Sequence, residues 1–155
     1  MARKTIIGWG VIMLMALGSS AQNKDAILGR WMDDEQKTII EIYREKDVFS
    51  GRIVWLKDSL DAYGNEVRDV LNPNVKLRPR KVVGSIILTG FEWDGTDVWK
   101  KGRIYYYHNG NEYNGKISVD EEGDLRLKGY YSILFFLGRT HTWTRVQPHA
   151  LTGRR

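Results

Sequence analysis

Tyr113-Asn114-Gly115-Lys116-Ile117-Ser118-Val119 and Leu125-Arg126-Leu127-Lys128-Gly129-Tyr130 stand on either side of the polar stretch Asp120-Glu121-Glu122-Gly123-Asp124. In the first run Tyr113, Gly115, Ile117 and Val119 alternate with Asn114, Lys116 and Ser118. In the second, Leu125, Leu127 and Gly129 alternate with Arg126, Lys128 and Tyr130. A period of two marks a strand with one apolar face, because successive side chains point to opposite sides of a sheet. Two such runs joined by a short polar turn predict an antiparallel hairpin. The same rhythm extends outward, and runs rich in Val, Ile, Tyr and Trp are predicted as strands at 28–32, 38–44, 49–57, 85–93, 98–107, 112–119, 125–131 and 139–146. Asp94-Gly95 and Asn109-Gly110 between them are hairpin dipeptides that tolerate positive φ. Sequential antiparallel strands leave two exposed edges unless the sheet closes, and eight is the number at which a closed barrel can just enclose a small ligand. The predicted fold is therefore all-β, an eight-stranded antiparallel up-and-down barrel. One long polar segment, 58–83, interrupts the meander and is expected to cross an end of the barrel; a connection this long is usually functional or carries a short helix of its own.

With 155 residues the chain is long enough for one domain, and its six Trp, eight Tyr and four Phe exclude a disordered composition. Cys 0 excludes disulfides, thiolate nucleophiles, Cys-ligated zinc and a lipid-modified cysteine. The amino terminus has the three parts of a secretory signal peptide: Arg3 and Lys4, an apolar stretch at 6–17, and the small residues Gly18-Ser19-Ser20-Ala21. The expected organisation is a cleaved leader at 1–21, a barrel domain at 22–146 and a frayed basic tail at 147–155, with export to the periplasm or the medium. The chain has 24 Lys+Arg against 19 Asp+Glu; the leader takes two bases and no acid, leaving +3 on the mature part. These bases are interspersed with acids, which argues against nucleic acid as a partner.

The residues offer little for catalysis. His108, His141 and His149 have no metal-ligand spacing, so no metal or other cofactor is expected, and the serines occupy no G-x-S-x-G elbow. Glu41 is the one acid inside a strand run, and alternation puts it outside if Ile40 and Ile42 face inward. No enzyme activity is expected. The basic cluster Lys76, Arg78, Arg80 and Lys81 has three readings: arginines that hold loop carbonyls, arginines that grip an anionic ligand head near the barrel mouth, or attraction to an anionic membrane. His141 shares an alternating face with Trp143 and Arg145, where it is either a ligand-facing donor or a hydrogen-bonded strand histidine. Ile133, Leu134, Phe135 and Phe136 form an apolar connection, read as packing beneath the long segment, as a portal lid, or as a contact for lipid or a partner.

Three groups of residues carry a family resemblance: Gly29-Arg30-Trp31; Leu77-Arg78-Pro79-Arg80; and Gly138-Arg139-Thr140-His141-Thr142-Trp143-Thr144-Arg145. With Gly102-Arg103-Ile104-Tyr105 and Leu125-Arg126-Leu127-Lys128-Gly129-Tyr130, they make the chain resemble the DUF2147 family of exported bacterial proteins from about Leu28 to Val146. The chain departs from the family pattern at Tyr106-Tyr107-His108-Asn109-Gly110. The resemblance implies a small lipocalin-like, calycin-type barrel. It also implies a closure built from Gly29, Trp31 and Arg145, in which the last-strand arginine covers the first-strand indole. The function expected is an exported protein holding a small amphiphilic or hydrophobic ligand, with Arg78, Arg80, Tyr105, Tyr113, His141 and Trp143 as candidate binding residues. The alternative is an envelope protein with a filled barrel, meeting a membrane surface or a partner protein through 133–137. A ligand pocket of roughly 300 Å³ or more would separate the two.

The leader predicts that the exported protein begins at Gln22. Intact-mass measurement on material recovered from the envelope or medium checks this, and a species retaining residues 1–21 would contradict it.

Overall fold

The computed structural model describes residues 23–131 and 138–147. The leader, the apolar residues Ile133, Leu134, Phe135 and Phe136, and the tail beyond Gln147 lie outside these described residues. Eight strands follow one another: β1 Gly29–Asp33, β2 Thr38–Glu45, β3 Val48–Leu56, β4 Ile86–Trp93, β5 Val98–Tyr106, β6 Asn111–Val119, β7 Leu125–Tyr130 and β8 Arg139–Arg145. Every boundary falls within one residue of the sequence expectation. Each strand pairs antiparallel with the next, and β1 also pairs with β8, closing the barrel.

Alternation fills the interior from all sides. Trp31, Ile40, Ile42, Phe49, Ile53 and Leu88 are buried on the inward faces of β1 to β4, and Ile117, Leu125, Leu127 and Trp143 on those of β6 to β8. Strict alternation fails at several places, two of which shape the core. Leu88 and Phe91 both face inward although two residues, Thr89 and Gly90, separate them, and the extra residue is absorbed where Gly90 takes φ +73°. A matching irregularity in β5, where Lys101 takes φ +63°, brings Gly102 inward after Trp99. These bulges lay the Phe91 ring across two glycines. A Cβ on Gly102 would stand 2.4 Å from ring atoms of Phe91, and one on Gly115 would stand 2.7 Å from Phe91 Cζ. Phe91 therefore occupies the space that two missing side chains leave on the neighbouring strands β5 and β6.

One end is closed by the chain entering β1. Trp31 donates its indole N–H to the Ile27 carbonyl at 2.9 Å, and Trp99 donates to the Lys24 carbonyl at 3.2 Å. Trp31 and Arg145 are directly opposite across the β1–β8 seam. The guanidinium lies 4.1 Å from the indole centroid and donates to the Leu28 carbonyl at 2.8 Å and the Ala26 carbonyl at 2.6 Å. Gly29 belongs to this arrangement twice over. Its φ of +117° suits glycine, and an added Cβ would meet Arg145 Nη1 at 3.0 Å.

The long segment buries its Val82 in the core cluster and packs in part on the outer wall, against Tyr105. The reason is the parity of β5. Ile104 faces inward, so its neighbour Tyr105 faces outward with Arg103, and Tyr105 is nevertheless buried. The segment supplies that cover for Tyr105 and Ile87, holding a 3₁₀ turn at Val75–Leu77. Glu41 also faces outward. It stands in register between Arg30 and Arg52, and both contact its carboxylate.

Replacing Arg145 with Ala removes the stacking on Trp31 and two donors to carbonyls. Its unfolding free energy should fall by about 1–3 kcal/mol, and Arg145→Lys should recover only part of the loss. Denaturant midpoints on the three proteins check this; an unchanged midpoint in Arg145→Ala would contradict the closure.

Candidate functional site

The six candidate binding residues separate into two groups on opposite sides of the barrel wall. On β8, Arg139, His141, Trp143 and Arg145 share the inward face and run from the open end to the closed end. His141 is in register with Leu127, and Trp143 with Leu125. On β6, Tyr113 is in register with inward-facing Ile104. Tyr113, His141 and Trp143 therefore face the same interior. His141 is exposed near the mouth, whereas Trp143 is packed in the core below it. The indole N–H of Trp143 is buried and has no acceptor among the described residues. A buried donor left unpaired costs about 1–3 kcal/mol, so a ligand acceptor placed there would be favoured.

The rim holds residues that sequence reading did not select. Tyr106 follows Ile104 on the inward face and is half-exposed. The rings of Tyr107 and His108 stand 4.0 Å apart, those of Tyr106 and His108 5.1 Å, and those of Tyr113 and Tyr131 5.0 Å. Burial pushes the Tyr107 phenol up to about 12, and the charges of Asp33 and Asp58 act in the same direction. Burial lowers the pKa of His108, against the opposing pull of Glu35. Asp33 ends β1, Glu35 follows it and Asp58 follows β3, so these acids and the β5–β6 turn share one end of the barrel. Tyr113 shares a hydrogen bond with Tyr131 and accepts another from Asn109 Nδ2 at 2.9 Å; both lower its pKa. Arg139, in register with Gly129, puts an exposed guanidinium on this inward face. Its signal was in the sequence: it has the same parity as His141 and Trp143. These side chains can stack a flat or apolar group on tyrosines and offer donors to an anionic one. Among the described residues, no cluster of His, Cys, Asp or Glu is placed to hold a metal ion.

Tyr105, Arg78 and Arg80 form the second group, outside the wall. Asp69, 1% exposed, is its centre. One carboxylate oxygen accepts from the Tyr105 hydroxyl at 2.5 Å. The other accepts from Asn72 Nδ2 at 2.7 Å and from Arg80 through Nε at 2.9 Å and Nη2 at 2.7 Å. Burial alone would raise the Asp69 pKa; the Tyr105, Asn72 and Arg80 donors outweigh it and bring it below the usual carboxylate value. Burial and the neighbouring carboxylate push the Tyr105 phenol up to about 12. Arg78 donates to the Asn72 carbonyl at 2.9 Å. Both arginines thus bind the segment's own groups, and neither stands at the mouth. Arg80 and Tyr105 also line a groove of about 300 Å³ between the segment and the outer wall, with Leu77, Ile86 and Thr89. A second surface cleft of about 450 Å³ opens near the closed end beside Lys24, Phe49 and Trp93.

Comparisons with known proteins agree with this architecture. The model of a family described as "Uncharacterized protein conserved in bacteria (DUF2147)" matches residues 29–145. Among solved structures, the fold is similar to protein HP1028 from the human pathogen Helicobacter pylori, which is described as belonging to the lipocalin family. The TM-score is 0.70 at 26% identity, over 79% of this chain and 84% of that one. The likeness points to a binding fold rather than a catalytic one. No curated protein matches the chain.

The Asp69 network makes a pH prediction. Its folded-state pKa lies below the unfolded value, so its contribution to stability is present above the unfolded carboxylate range, near 4, and is lost as pH falls through the lower folded value. Asp69→Asn should flatten this part of the acid limb. At neutral pH, Arg80→Ala should cost about 3 kcal/mol by leaving a buried carboxylate short of its cation. Thermal melts from neutral to acid pH check both; a wild-type acid limb in Asp69→Asn would contradict the assignment.

Proposed function

The chain belongs to the DUF2147 family, and we propose that it is an exported binding protein that takes a compact amphiphile in the mouth of its barrel. The ligand's anionic or polar group meets Arg139 and His141, and its apolar part lies against Tyr106, Tyr113 and Tyr131, above Trp143. The observation that carries this reading is the inward-facing Trp143 N–H, buried without an acceptor beneath an exposed ring of aromatic and basic side chains. Export rests on the leader, and the lipocalin-like barrel supports small-molecule binding in general.

The packing of the deeper half bears on ligand shape. Phe91 seated over Gly102 and Gly115, together with buried Phe49, Trp99 and Ile117, leaves no room there for an extended acyl chain. A chain threaded along the axis would gain about 0.8 kcal/mol, roughly fourfold in affinity, for each methylene buried. A cup that ends at Phe91 offers this gain only to the first carbons.

Tryptophan fluorescence titrations with octanoate, dodecanoate and palmitate test the reading. Octanoate should give a saturable change, and affinity should stop rising across the series. Trp143→Phe should weaken octanoate about tenfold, in line with about 1.5 kcal/mol for a bond to a charged acceptor. Phe91→Ala should restore chain-length dependence while costing about 3–5 kcal/mol of stability. A wild-type affinity that climbs steadily to palmitate, or no saturable response to any of the three, would overturn it.

A further inference from the structure

The apolar and basic residues of the long segment share one outer face of the barrel. Of the eleven large hydrophobic residues that stand exposed among the described residues, eight fall between Leu60 and Ile86. Val70, Leu71 and Val75 are each more than half exposed, and Leu77 and Ile86 border the same groove. A solvated loop of an ordinary domain has no reason to collect such side chains, and contiguous exposed apolar groups mark contact surfaces.

Charge separates along the same line. Residues 67–86 carry five bases and one acid, whereas the remaining described residues carry fifteen bases and eighteen acids. The single acid, Asp69, is buried against Arg80, so the exposed charges at 67–86 are positive, with Lys81 paired to Glu66 just before the stretch at 2.8 Å. Lys76 sits between Val75 and Leu77 on the 3₁₀ turn, which Asn74 caps by accepting from the Lys76 backbone N–H at 3.1 Å. The face is held rigidly. Asp69 ties it to Tyr105, Arg78 ties its turn to Asn72, and the Leu71 carbonyl packs closely on Gly110.

We propose that this face docks on an anionic phospholipid bilayer, with Val70, Leu71 and Val75 entering the headgroup layer and Arg68, Lys76 and Arg78 meeting lipid phosphates. A protein partner would be met through aromatic anchors seated in desolvated pockets, whereas residues 67–86 present branched aliphatics and bases and no aromatic side chain. A fluid negative surface asks only for projecting apolar groups within a positive field. The opposite sign of the rest of the molecule orients the approach. The proposal is independent of what the mouth binds, because the face lies on the outside of β4 to β6.

Co-sedimentation of the chain lacking residues 1–21 with vesicles of phosphatidylethanolamine and phosphatidylglycerol, against vesicles of phosphatidylcholine alone, tests this. Binding is expected to the anionic vesicles and not to the neutral ones, and to weaken as salt is raised. Each base near an anionic surface contributes about fivefold, so Lys76→Glu should weaken binding by more than tenfold. A Leu71→Ser, Val75→Ser double variant should lose binding even at low salt. Both variants change exposed side chains and should melt like the parent protein. Absence of binding to the anionic vesicles, equal binding to both kinds, variants that bind as the parent does, or complete competition by soluble polyglutamate would each overturn the proposal.

Discussion

Everything in this molecule rests on the seam between β1 and β8, where a short first strand meets the last one and turns a sheet with two edges into a barrel with none. Only three residue pairs are in register there, from Trp31 with Arg145 to Asp33 with Trp143. Arg145 reinforces that short pairing. Its guanidinium covers the Trp31 indole and reaches back to two carbonyls of the chain entering β1. One side chain thereby satisfies backbone acceptors that no strand neighbour can reach and shields the largest residue of the closed end. Gly29 is the complement of this contact, since a side chain there would meet the guanidinium.

Closure at one end and packing above it divide the interior into two halves with different properties. In the deeper half, glycines on β5 and β6 make way for Phe91, and the result is a packed core rather than a hollow one. Toward the mouth the inward positions turn to Tyr106, Tyr113, Arg139 and His141, residues that combine a ring or a cation with exposure. Trp143 marks the boundary, with its ring in the core and its N–H unpaired.

The outer wall has its own polar interior. Asp69 and Tyr105 meet from positions 36 residues apart in the chain, and Arg80 and Asn72 complete their hydrogen bonding. A buried carboxylate needs this many donors, because desolvation would otherwise drive it to its neutral form. The cost is offset by pinning a long connection in a single path. That path in turn fixes where the segment's aliphatic and basic residues project.

The strands, their number, the turns between them and the closure pair were legible in the residues, because period-two alternation and turn chemistry are local properties that each segment expresses by itself. His141 and Trp143 could be assigned to one face for the same reason, and so could the outward direction of Glu41. Only the tertiary structure decided the rest. The bulges at Gly90 and Lys101 reset the parity of β4 and β5, so that Phe91 enters the core. They answer the fit of one ring against glycines on neighbouring strands, which no single run reveals. Arg78, Arg80 and Tyr105 looked like partners for a ligand because arginine and tyrosine serve anion binding and loop anchoring equally well. Which role they take depends on the path of a long segment, and that path is set by Asp69, whose need for donors arises only once the fold has buried it.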